Sequence, residues 1–563
     1  MTRLKKERLI LIFIVTLAFF LRFFGISFGL PHLYHADEPI VVNHTIAYGS
    51  GDLNPHFFKI PPLVSYLLFI LYGIYFVIGK LVGQFSTLDD FVYLFLTDPS
   101  SFYFVGRLFF GAIGGTLTVY ILYRLVKRYS SIEHALISSF FLAVAFLHVR
   151  DSHYIYADIP LVLILCLCFF PIFHILESGG RRYYVLFSFL AGIAVATKYN
   201  GVFVFVPFLT AHFFRTGFKW RAVADPNLVL TFVLSFLAYS VLNPFGWVDF
   251  QFFLQEITKQ SHAEGFSGLL HHLTYSLNGG LGFPLLGLSL FGLSLACLRF
   301  DRKRWTLLSF ILVYYLILCF FSQPYDRYTL PLIPFLVIFA ADGLLQLKRK
   351  LKLSNIPFFI VVLIAIFPSV LKISLSDYIF MQKDIRTVGR EWIERTVPQN
   401  TKIALDMQFY LPQLKPNLAQ LIQKKEAVLT APNFNKAQLK RVEVLIQEAE
   451  RSGNIRYELF FLKESQAEEK FLFSKPMVPY DLDYLKNKGV EYVIISQISP
   501  GRASDFCKDL DQKAQLVAKF TPYRDKLREW PIDRQPLTGG VFLWSELIAR
   551  ERNGQIFKVY RLN

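Results

Sequence analysis

Residues 157–176 read ADIPLVLILCLCFFPIFHIL, and this apolar stretch decides the fold class. It contains one carboxylate, Asp158 near its start, and one imidazole, His174 near its end, but no lysine, arginine or glutamate. A helix rises about 1.5 Å per residue, so this stretch is long enough to cross the roughly 30 Å hydrocarbon core of a bilayer. It is therefore predicted to be a transmembrane helix.

Similar apolar blocks recur up to about residue 375. The composition agrees with a membrane location, because 54% of the 563 residues are hydrophobic and only 18% are charged, against about 25% charged in soluble proteins. The predicted fold is a polytopic α-helical membrane protein with about 11 transmembrane helices. The predicted spans are 9–29, 104–126, 132–149, 157–176, 183–199, 200–214, 227–243, 277–298, 305–321, 328–347 and 355–375.

Lysine and arginine are distributed unevenly between alternate loops, which predicts the orientation. Twenty lie in the loops at about residues 3–8, 124–128, 181–182, 215–221, 299–304 and 348–352. The alternate set holds eight: Lys59, Lys80, Arg107, Arg150, Lys198, Lys259, Arg327 and Lys372. The rich side is expected in the cytoplasm. The N-terminus is then cytoplasmic, and the chain is predicted to lie in the cell (inner) membrane with its tail on the periplasmic or extracellular side.

One apolar segment does not fit this alternation. Residues 63–82 are apolar enough to cross, but 83–103 contains Asp89, Asp90, Asp98 and Pro99 and makes a poor return span. We therefore expect 63–82 to lie along the outer interface or to re-enter partway. Residues 30–103 would then form one large external loop with interfacial helices, within a membrane domain at 1–375.

The tail, residues 376–563, is polar and mixes helix and strand patterns. Residues 484–488 indicate a helix end, Gly489 a helix stop, and residues 490–495 a buried strand. Residues 401–405 and 557–560 also have strand character. The tail is predicted to be a C-terminal soluble α/β domain on the outer side of the membrane.

Two adjacent carboxylates, Asp37 and Glu38, follow the first predicted span. Transfer of a group to a hydroxyl needs a base that takes the proton of the acceptor. A carboxylate at the membrane surface suits a substrate carried by a lipid. The alternative is an ordinary polar flank or the cap of a helix that starts at Pro39.

Two cations follow on the same predicted face. Lys59 leads into the apolar segment 63–82 and could meet a lipid phosphate as a point charge; the alternative is a snorkelling lysine at a helix end. Arg107 opens the next span, where an arginine usually has a partner. A phosphate oxygen fits its guanidinium, and a carboxylate such as Asp37 fits equally well.

Three further ionisable residues stand at span ends. Asp158 has the pattern of an N-cap with Pro160 in the first turn, and capping does not exclude catalysis. Lys198 and Arg327 also reach the outer face. With Asp37, Glu38, Lys59 and Arg107, they form a set of carboxylates and cations at membrane depth, where ionisable residues are functional candidates. Such a set suits an anionic lipid-linked substrate.

The order of these motifs resembles the GT-C membrane glycosyltransferases, most closely the protein O-mannosyltransferase and aminoarabinose (lipid A) transferase group. The resemblance covers most of residues 1–347. It rests on the acidic pair 37–38, Asn54-Pro55 with Pro61-Pro62-Leu63, Gly106-Arg107, Asp158-Ile159-Pro160, Thr197-Lys198-Tyr199-Asn200-Gly201, and the run from Arg327-Tyr328 to Leu330-Pro331-Leu332-Ile333-Pro334.

The resemblance implies inverting transfer of a hexosyl or pentosyl group from a polyprenyl-phosphate donor to a hydroxyl, without a covalent enzyme intermediate. Asp37 would be the general base, supported by Glu38, with Asp158 as a second acidic site residue. Lys59 and Arg107 would bind the leaving phosphate, and we place Lys198 and Arg327 with them. Lys59 departs from the aminoarabinose-type pattern, because Ile60 separates it from Pro61-Pro62.

The expected partners are the lipid-linked donor, the bilayer, and a glycan, lipid or protein acceptor. The net charge of +17 is assigned to topology, so no nucleic acid is expected. No cofactor is implied; the first loop has no Asp-x-Asp, so no metal is demanded, although a divalent cation stays open. A lipid or glycolipid transporter or flippase is the alternative from another class, and a glycolipid-binding scaffold without catalysis is a third.

Overall fold

A computed structural model of the chain describes residues 3–35, 37–258, 268–320, 325–406, 410–430, 436–463, 477–497, 504–525 and 543–562. Lys259, counted above on the lysine-poor side, lies outside the described residues. Up to residue 381 the α-helices are Arg3–Phe23, Glu38–Ala47, Leu63–Leu81, Leu88–Thr97, Ser100–Gly106, Gly114–Tyr129, Ile132–Ala143, Phe146–Asp151, Asp158–Glu177, Arg181–Thr197, Phe205–Thr216, Trp220–Val223, Pro226–Leu242, Phe245–Val248, Phe250–Thr258, Gly268–His271, Asn278–Leu281, Phe283–Leu298, Arg302–Leu318, Ile333–Lys350 and Asn355–Met381.

Five segments have other helical geometries. Arg107–Ile113 and His272–Leu277 form wide π-helical turns inside longer helices. Tyr48–Ser50, Tyr199–Val204 and Asp326–Leu332 form tight 3₁₀ turns. The turn Tyr199–Val204 begins directly after the predicted site residue Lys198. The turn Asp326–Leu332 contains the predicted site residue Arg327.

The helices have the length and apolarity that a membrane protein requires. Within the described residues, six helical stretches can cross a bilayer, and a seventh if the bent pair Gly268–Leu281 and Phe283–Leu298, which turns by 116°, counts as one span. The predicted multi-pass α-helical membrane protein is confirmed at this level. The number of eleven spans and the orientation stay predictions. Leu63–Leu81 is among the six, and its interfacial position also stays a prediction.

The predicted span 277–298 is interrupted at Gly282, and the predicted span 132–149 is likewise wrong as a continuous helix. Residues 132–149 form two helices, Ile132–Ala143 and Phe146–Asp151, with a break between them. The fully buried Arg22 explains the break, because its guanidinium donates to the carbonyl oxygens of Leu142 at 3.2 Å and Ala143 at 3.0 Å. Carbonyls at a helix end lack partners within the helix, and here an arginine supplies them.

The chain divides into two compact units. The first comprises residues 1–26, 41–71 and 105–377, and the second comprises 27–40, 72–104 and 378–563. Segment 27–40 belongs with the tail because Gln413 exchanges two hydrogen bonds with the backbone of Leu33, at 3.2 and 2.7 Å. Tyr34 adds a hydrogen bond to Thr387. The predicted domains 1–375 and 376–563, as membrane and outer parts, stay predictions.

The second unit contains a mixed six-stranded sheet. The strands are β1 (Lys402–Leu405), β2 (Glu458–Lys463), β3 (Met477–Pro479), β4 (Tyr492–Ser496), β5 (Gln515–Phe520) and β6 (Phe557–Arg561), and the sheet order is β3-β2-β1-β4-β6-β5. Strands β1 to β4 pair in parallel, and β6 pairs antiparallel with β4 and β5. The same part of the chain, after residue 378, contains helices Ile385–Thr396, Leu418–Thr430, Lys436–Arg451, Leu482–Asn487, Ser504–Lys513 and Trp544–Ala549.

The predicted helix stop and strands of the tail are confirmed. Gly489 takes a φ of 73°, which glycine adopts without strain, between helix Leu482–Asn487 and β4. All five residues of β4 are buried. Apolar clusters cover both faces of the sheet, as expected for a central strand that is flanked by helices.

Two glycines hold the π-helical turn close to the segment that leads to Asp158. A Cβ atom on Gly111 would lie 2.0 Å from the carbonyl oxygen of Ser152, and one on Gly115 would lie 2.4 Å from its Oγ. A larger residue at Gly111 would push the two backbones apart, and one at Gly115 would displace the side chains of Ser152 and Arg22. Small residues four apart in a membrane helix commonly allow such a close approach.

Candidate active site

Asp158 and Lys198 form a buried ion pair in the first unit. Asp158 begins helix Asp158–Glu177, and Lys198 directly follows helix Arg181–Thr197. Lys198 Nζ lies 2.6 Å from Asp158 Oδ1, and the side chains are 13% and 3% exposed. The ends of two neighbouring helices thus bring together an acid and a base that stand forty residues apart in sequence.

Asp158 does not cap its helix, so the capping alternative is wrong. The residue before the helix is Ala157, and no side chain caps the first turn. Asp158 uses Oδ1 for Lys198 instead. Its Oδ2 is buried and accepts no hydrogen bond from the residues that the structure describes. A buried carboxylate oxygen in this condition favours a hydrogen-bond donor from a substrate.

Lys198 and Arg327 share the faces of two tyrosine rings. Lys198 Nζ lies 5.3 Å from the ring centroids of both Tyr156 and Tyr328. The guanidinium of Arg327 lies 4.9 Å from the centroid of Tyr156 and 5.9 Å from that of Tyr328. Cations at these distances are attracted by the negative ring faces. The rings allow two positive groups to lie close together.

Two successive hydrogen bonds connect Asn200 to the backbone of Tyr328 through Tyr314. Asn200 donates its amide N–H to Tyr314 Oη at 2.7 Å, and Tyr314 donates to the carbonyl oxygen of Tyr328 at 3.2 Å. Tyr314 is buried, and Asn200 lies two residues after Lys198. The backbone that follows Lys198 is therefore connected to the backbone that follows Arg327.

The loop that carries Lys59 reaches the same region. Tyr199 donates its hydroxyl to the carbonyl oxygen of Phe58 at 2.8 Å. Phe58 is fully buried, whereas Lys59 is exposed. The residues next to Lys59 and next to Lys198 are thus in direct contact, which the sequence alone did not predict.

Arg107 has a different surrounding. It is fully buried in the π-helical turn, and its Nη1 donates to the carbonyl oxygen of Ile26 at 2.8 Å. This bond satisfies a backbone acceptor just beyond the first helix. The predicted role of Arg107 in phosphate binding stays a prediction.

The predicted acidic pair belongs to the second unit. Asp37 is partly buried and directly precedes helix Glu38–Ala47, so the helix begins one residue before the predicted start at Pro39. Its backbone N–H donates to His35 Nδ1 at 3.3 Å. Glu38 is 1% exposed. The pair therefore combines a more accessible carboxylate with a buried one.

Sequence reasoning missed a buried ionic cluster next to Arg327. Arg150 Nη1 lies 2.7 Å from Asp326 Oδ2, and Arg150 Nη2 lies 2.7 Å from Asp151 Oδ2. Arg150 and Asp326 are fully buried. Their positions in apolar surroundings were visible in the sequence, but no spacing rule links residues 150 and 326. The roles of Tyr156 and Tyr328 were also missed, since tyrosine is common in membrane helices.

A metal site has no support from side-chain geometry within the described ranges. Among those residues, no group of three or more His, Cys, Asp or Glu side chains is arranged to hold a metal ion. Whether the protein uses a divalent cation stays open.

Comparisons with known proteins agree with the class of enzyme predicted above. Residues 100–243 match the family model described as dolichyl-phosphate-mannose-protein mannosyltransferase. The predicted resemblance to the GT-C membrane glycosyltransferases is confirmed, and the matched segment contains Arg107, Asp158 and Lys198. No curated protein matches the chain.

Two solved structures are among those to which the chain is similar. ArnT from Cupriavidus metallidurans bound to undecaprenyl phosphate is 14% identical over 98% of this chain and 97% of its own, with a TM-score of 0.48. The oligosaccharyltransferase of Archaeoglobus fulgidus, in complex with Zn and sulfate, is 13% identical over 88% of this chain and 69% of its own, also with a TM-score of 0.48.

Proposed function

We propose that the protein is an inverting glycosyltransferase that moves a sugar from a polyprenyl-phosphate donor to a hydroxyl acceptor at the outer face of the membrane. The observation that carries the proposal is the cluster of Asp158, Lys198 and Arg327 around two tyrosine rings. The matched family description supports the donor class, because it names a sugar phosphate on a polyprenyl lipid.

The cations would stabilise the departing phosphate. As the bond between the anomeric carbon and the phosphate oxygen breaks, its electron pair stays on that oxygen and negative charge grows there. Lys198 and Arg327 offer a point charge and a planar group with several N–H donors. Preorganised positive charge in a site with little water lowers the energy of such a transition state. The exposed Lys59 can add a third cation from its loop.

A carboxylate would remove the proton of the acceptor. We assign this role to Asp37, with Glu38 supporting it, and Asp158 is the alternative base. The acceptor oxygen forms a bond to the anomeric carbon on the face opposite the leaving phosphate, while the carboxylate takes its proton. The products are a glycoside of inverted anomeric configuration and polyprenyl phosphate. The sugar class and the acceptor are left open by this chemistry.

The test compares sugar transfer by purified wild-type protein and three variants in lipid. Radiolabelled polyprenyl-phosphate sugars are offered with glycolipid and protein acceptors. Asp37→Asn should lower the turnover at least 100-fold while binding of polyprenyl phosphate is retained. Asp89→Asn is the matched control in the same predicted loop, because Asp89 is 74% exposed. Transfer unchanged in Asp37→Asn but lost in Asp158→Asn would move the base to Asp158.

A further inference from the structure

A fully buried ion pair joins the segment that leads to Tyr156 and Asp158 to the turn that contains Arg327. Arg150 lies in helix Phe146–Asp151, which precedes Tyr156 and Asp158 in the chain. Asp326 begins the tight turn Asp326–Leu332, which contains Arg327. Arg150 Nη1 and Asp326 Oδ2 are 2.7 Å apart, and neither side chain is exposed. This pair therefore connects the helix that precedes Tyr156 with the residue that precedes Arg327.

The second oxygen of Asp326 holds the backbone of its neighbour. The N–H of Arg327 donates to Asp326 Oδ1 at 2.7 Å, and the hydroxyl of Thr329 donates to the carbonyl oxygen of Asp326 at 2.8 Å. One carboxylate thus bridges the guanidinium of Arg150 and the backbone of Arg327.

Asp151 balances the remaining charge of Arg150. Its Oδ2 lies 2.9 Å from Arg150 Nε and 2.7 Å from Nη2. Arg150 is therefore held between two carboxylates, one in its own helix and one at the start of the turn that contains Arg327.

A buried ion pair is an expensive way to join two helical segments. Removing two charges from water costs several kcal/mol per ion, and apolar side chains of similar volume often stabilise equally well. Ionisable residues inside a membrane domain are correspondingly rare and usually functional. A fixed direction is what the ion pair provides and an apolar contact does not, because the guanidinium and the carboxylate bind in one geometry.

We propose that Arg150 and Asp326 are positioning residues that set Arg327 over the Tyr156 ring for contact with the phosphate of a polyprenyl lipid. The inference rests on the proposed function, since it assumes that Arg327 binds this phosphate. Arg327 makes the contact, and the buried pair acts through it.

The experiment is a mutant cycle between the pair and Arg327. Arg150→Met with Asp326→Leu removes both charges together, so no unpaired charge stays buried. Arg327→Gln is made in this background and in the wild type. Arg304→Met with Asp342→Leu is the matched control background, because that ion pair, 3.2 Å apart, joins helices Arg302–Leu318 and Ile333–Lys350 and lies outside the cluster of Asp158, Lys198 and Arg327. Polyprenyl phosphate affinity and sugar transfer are both measured.

In the wild type and in the control background, Arg327→Gln should weaken polyprenyl phosphate binding about 10- to 100-fold. In the Arg150→Met/Asp326→Leu background, binding should already be weakened about 10-fold, and Arg327→Gln should cost less than about 3-fold more. An equal, independent loss in all three backgrounds would overturn the inference.

Two further outcomes separate this inference from the proposed function. Wild-type protein that binds polyprenyl phosphate but transfers no sugar would contradict the proposed transfer, and the binding cycle would still decide the role of the pair. Wild-type protein that neither binds nor transfers would overturn both. If the doubly apolar variant does not fold, Asp326→Asn, which keeps the size of the side chain, is taken through the same cycle with the same expected non-additivity.

Discussion

Lys198 Nζ lies 2.6 Å from Asp158 Oδ1 where two helix ends meet, and the two side chains are 13% and 3% exposed. The positive charge of Lys198 compensates the negative charge of Asp158, which is buried away from water. It also lies 5.3 Å from the ring centroids of Tyr156 and Tyr328, which places its charge beside that of Arg327. Both the stability of the fold and the binding of substrate are therefore expected to depend on Lys198.

Replacing Lys198 by Met should destabilise the protein by about 3–5 kcal/mol, because Asp158 would keep a buried charge without its partner. Thermal unfolding in detergent measures the effect. The matched control is Lys348→Met, which breaks the pair of Lys348 and Glu133 at 2.7 Å, where the glutamate is 52% exposed. That change should cost only about 0–1 kcal/mol. Equal losses in the two variants would contradict the buried-pair interpretation.

Tyr156 is expected to act through its ring face. Tyr156→Leu should weaken binding of polyprenyl phosphate about 2- to 30-fold, since a cation over a ring contributes about 0.5–2 kcal/mol. Tyr156→Phe keeps the ring face and should bind within about 2-fold of wild type. Titration of polyprenyl phosphate against purified protein measures both affinities.

The control for this prediction is Tyr183→Leu. The guanidinium of Arg182 lies 4.6 Å from the Tyr183 ring centroid, in a similar cation–ring contact at the start of another helix. This substitution should leave lipid binding unchanged. If Tyr156→Phe were as weak as Tyr156→Leu, the hydroxyl rather than the ring face would carry the contact.

Patterns that depend on local sequence were predictable here. The long apolar block at 157–176 predicted a membrane helix, and the observed helix is Asp158–Glu177. The glycine stop at Gly489 and strand β4 were predicted because a left-handed residue and a buried apolar run have distinct sequence patterns. The ionisable residues at 158, 198 and 327 were predicted as members of a larger set with Asp37, Glu38, Lys59 and Arg107, because charge is costly at membrane depth.

Features that depend on distant contacts were not predictable. The break after Ala143 arises from Arg22, which lies more than a hundred residues earlier. The pairing of Arg150 with Asp326 and the shared tyrosine faces also need the packed structure. Asp158 had the sequence pattern of a helix cap, but its carboxylate is occupied by Lys198. Local preference was overridden by a tertiary ion pair.

The second unit should lose stability in acid through His32. Burial lowers the pKa of His32 to about 4, and the Arg390 guanidinium adds to this effect. Arg390 Nη1 lies 3.1 Å from His32 Nδ1, so a proton on the imidazole would meet a cation. Below pH 6.5, the ordinary pKa of histidine being about 6.5, the imidazole binds a proton in the unfolded chain but not in the folded state. Stability is complete above pH 6.5 and declines as the pH falls towards 4.

Hydrogen exchange in helix Ile385–Thr396, which carries Arg390, measures this loss between pH 7 and 4 after correction for intrinsic exchange rates. His32→Gln keeps an acceptor for Arg390 but does not titrate, so its acid-dependent opening should be smaller than in the wild type. His56→Gln, at a side chain 64% exposed in the first unit, is the control and should behave as wild type. Identical pH profiles for His32→Gln and the wild type would contradict the prediction.

The central claim is transfer of a sugar from a polyprenyl-phosphate donor. Its most direct measurement uses wild-type protein in liposomes with a donor of known anomeric configuration and follows the label, the released lipid and the configuration of the product. We expect one polyprenyl phosphate released for each sugar transferred, and a product of opposite anomeric configuration. Movement of the intact donor between bilayer leaflets without any transfer would contradict the account and favour a flippase.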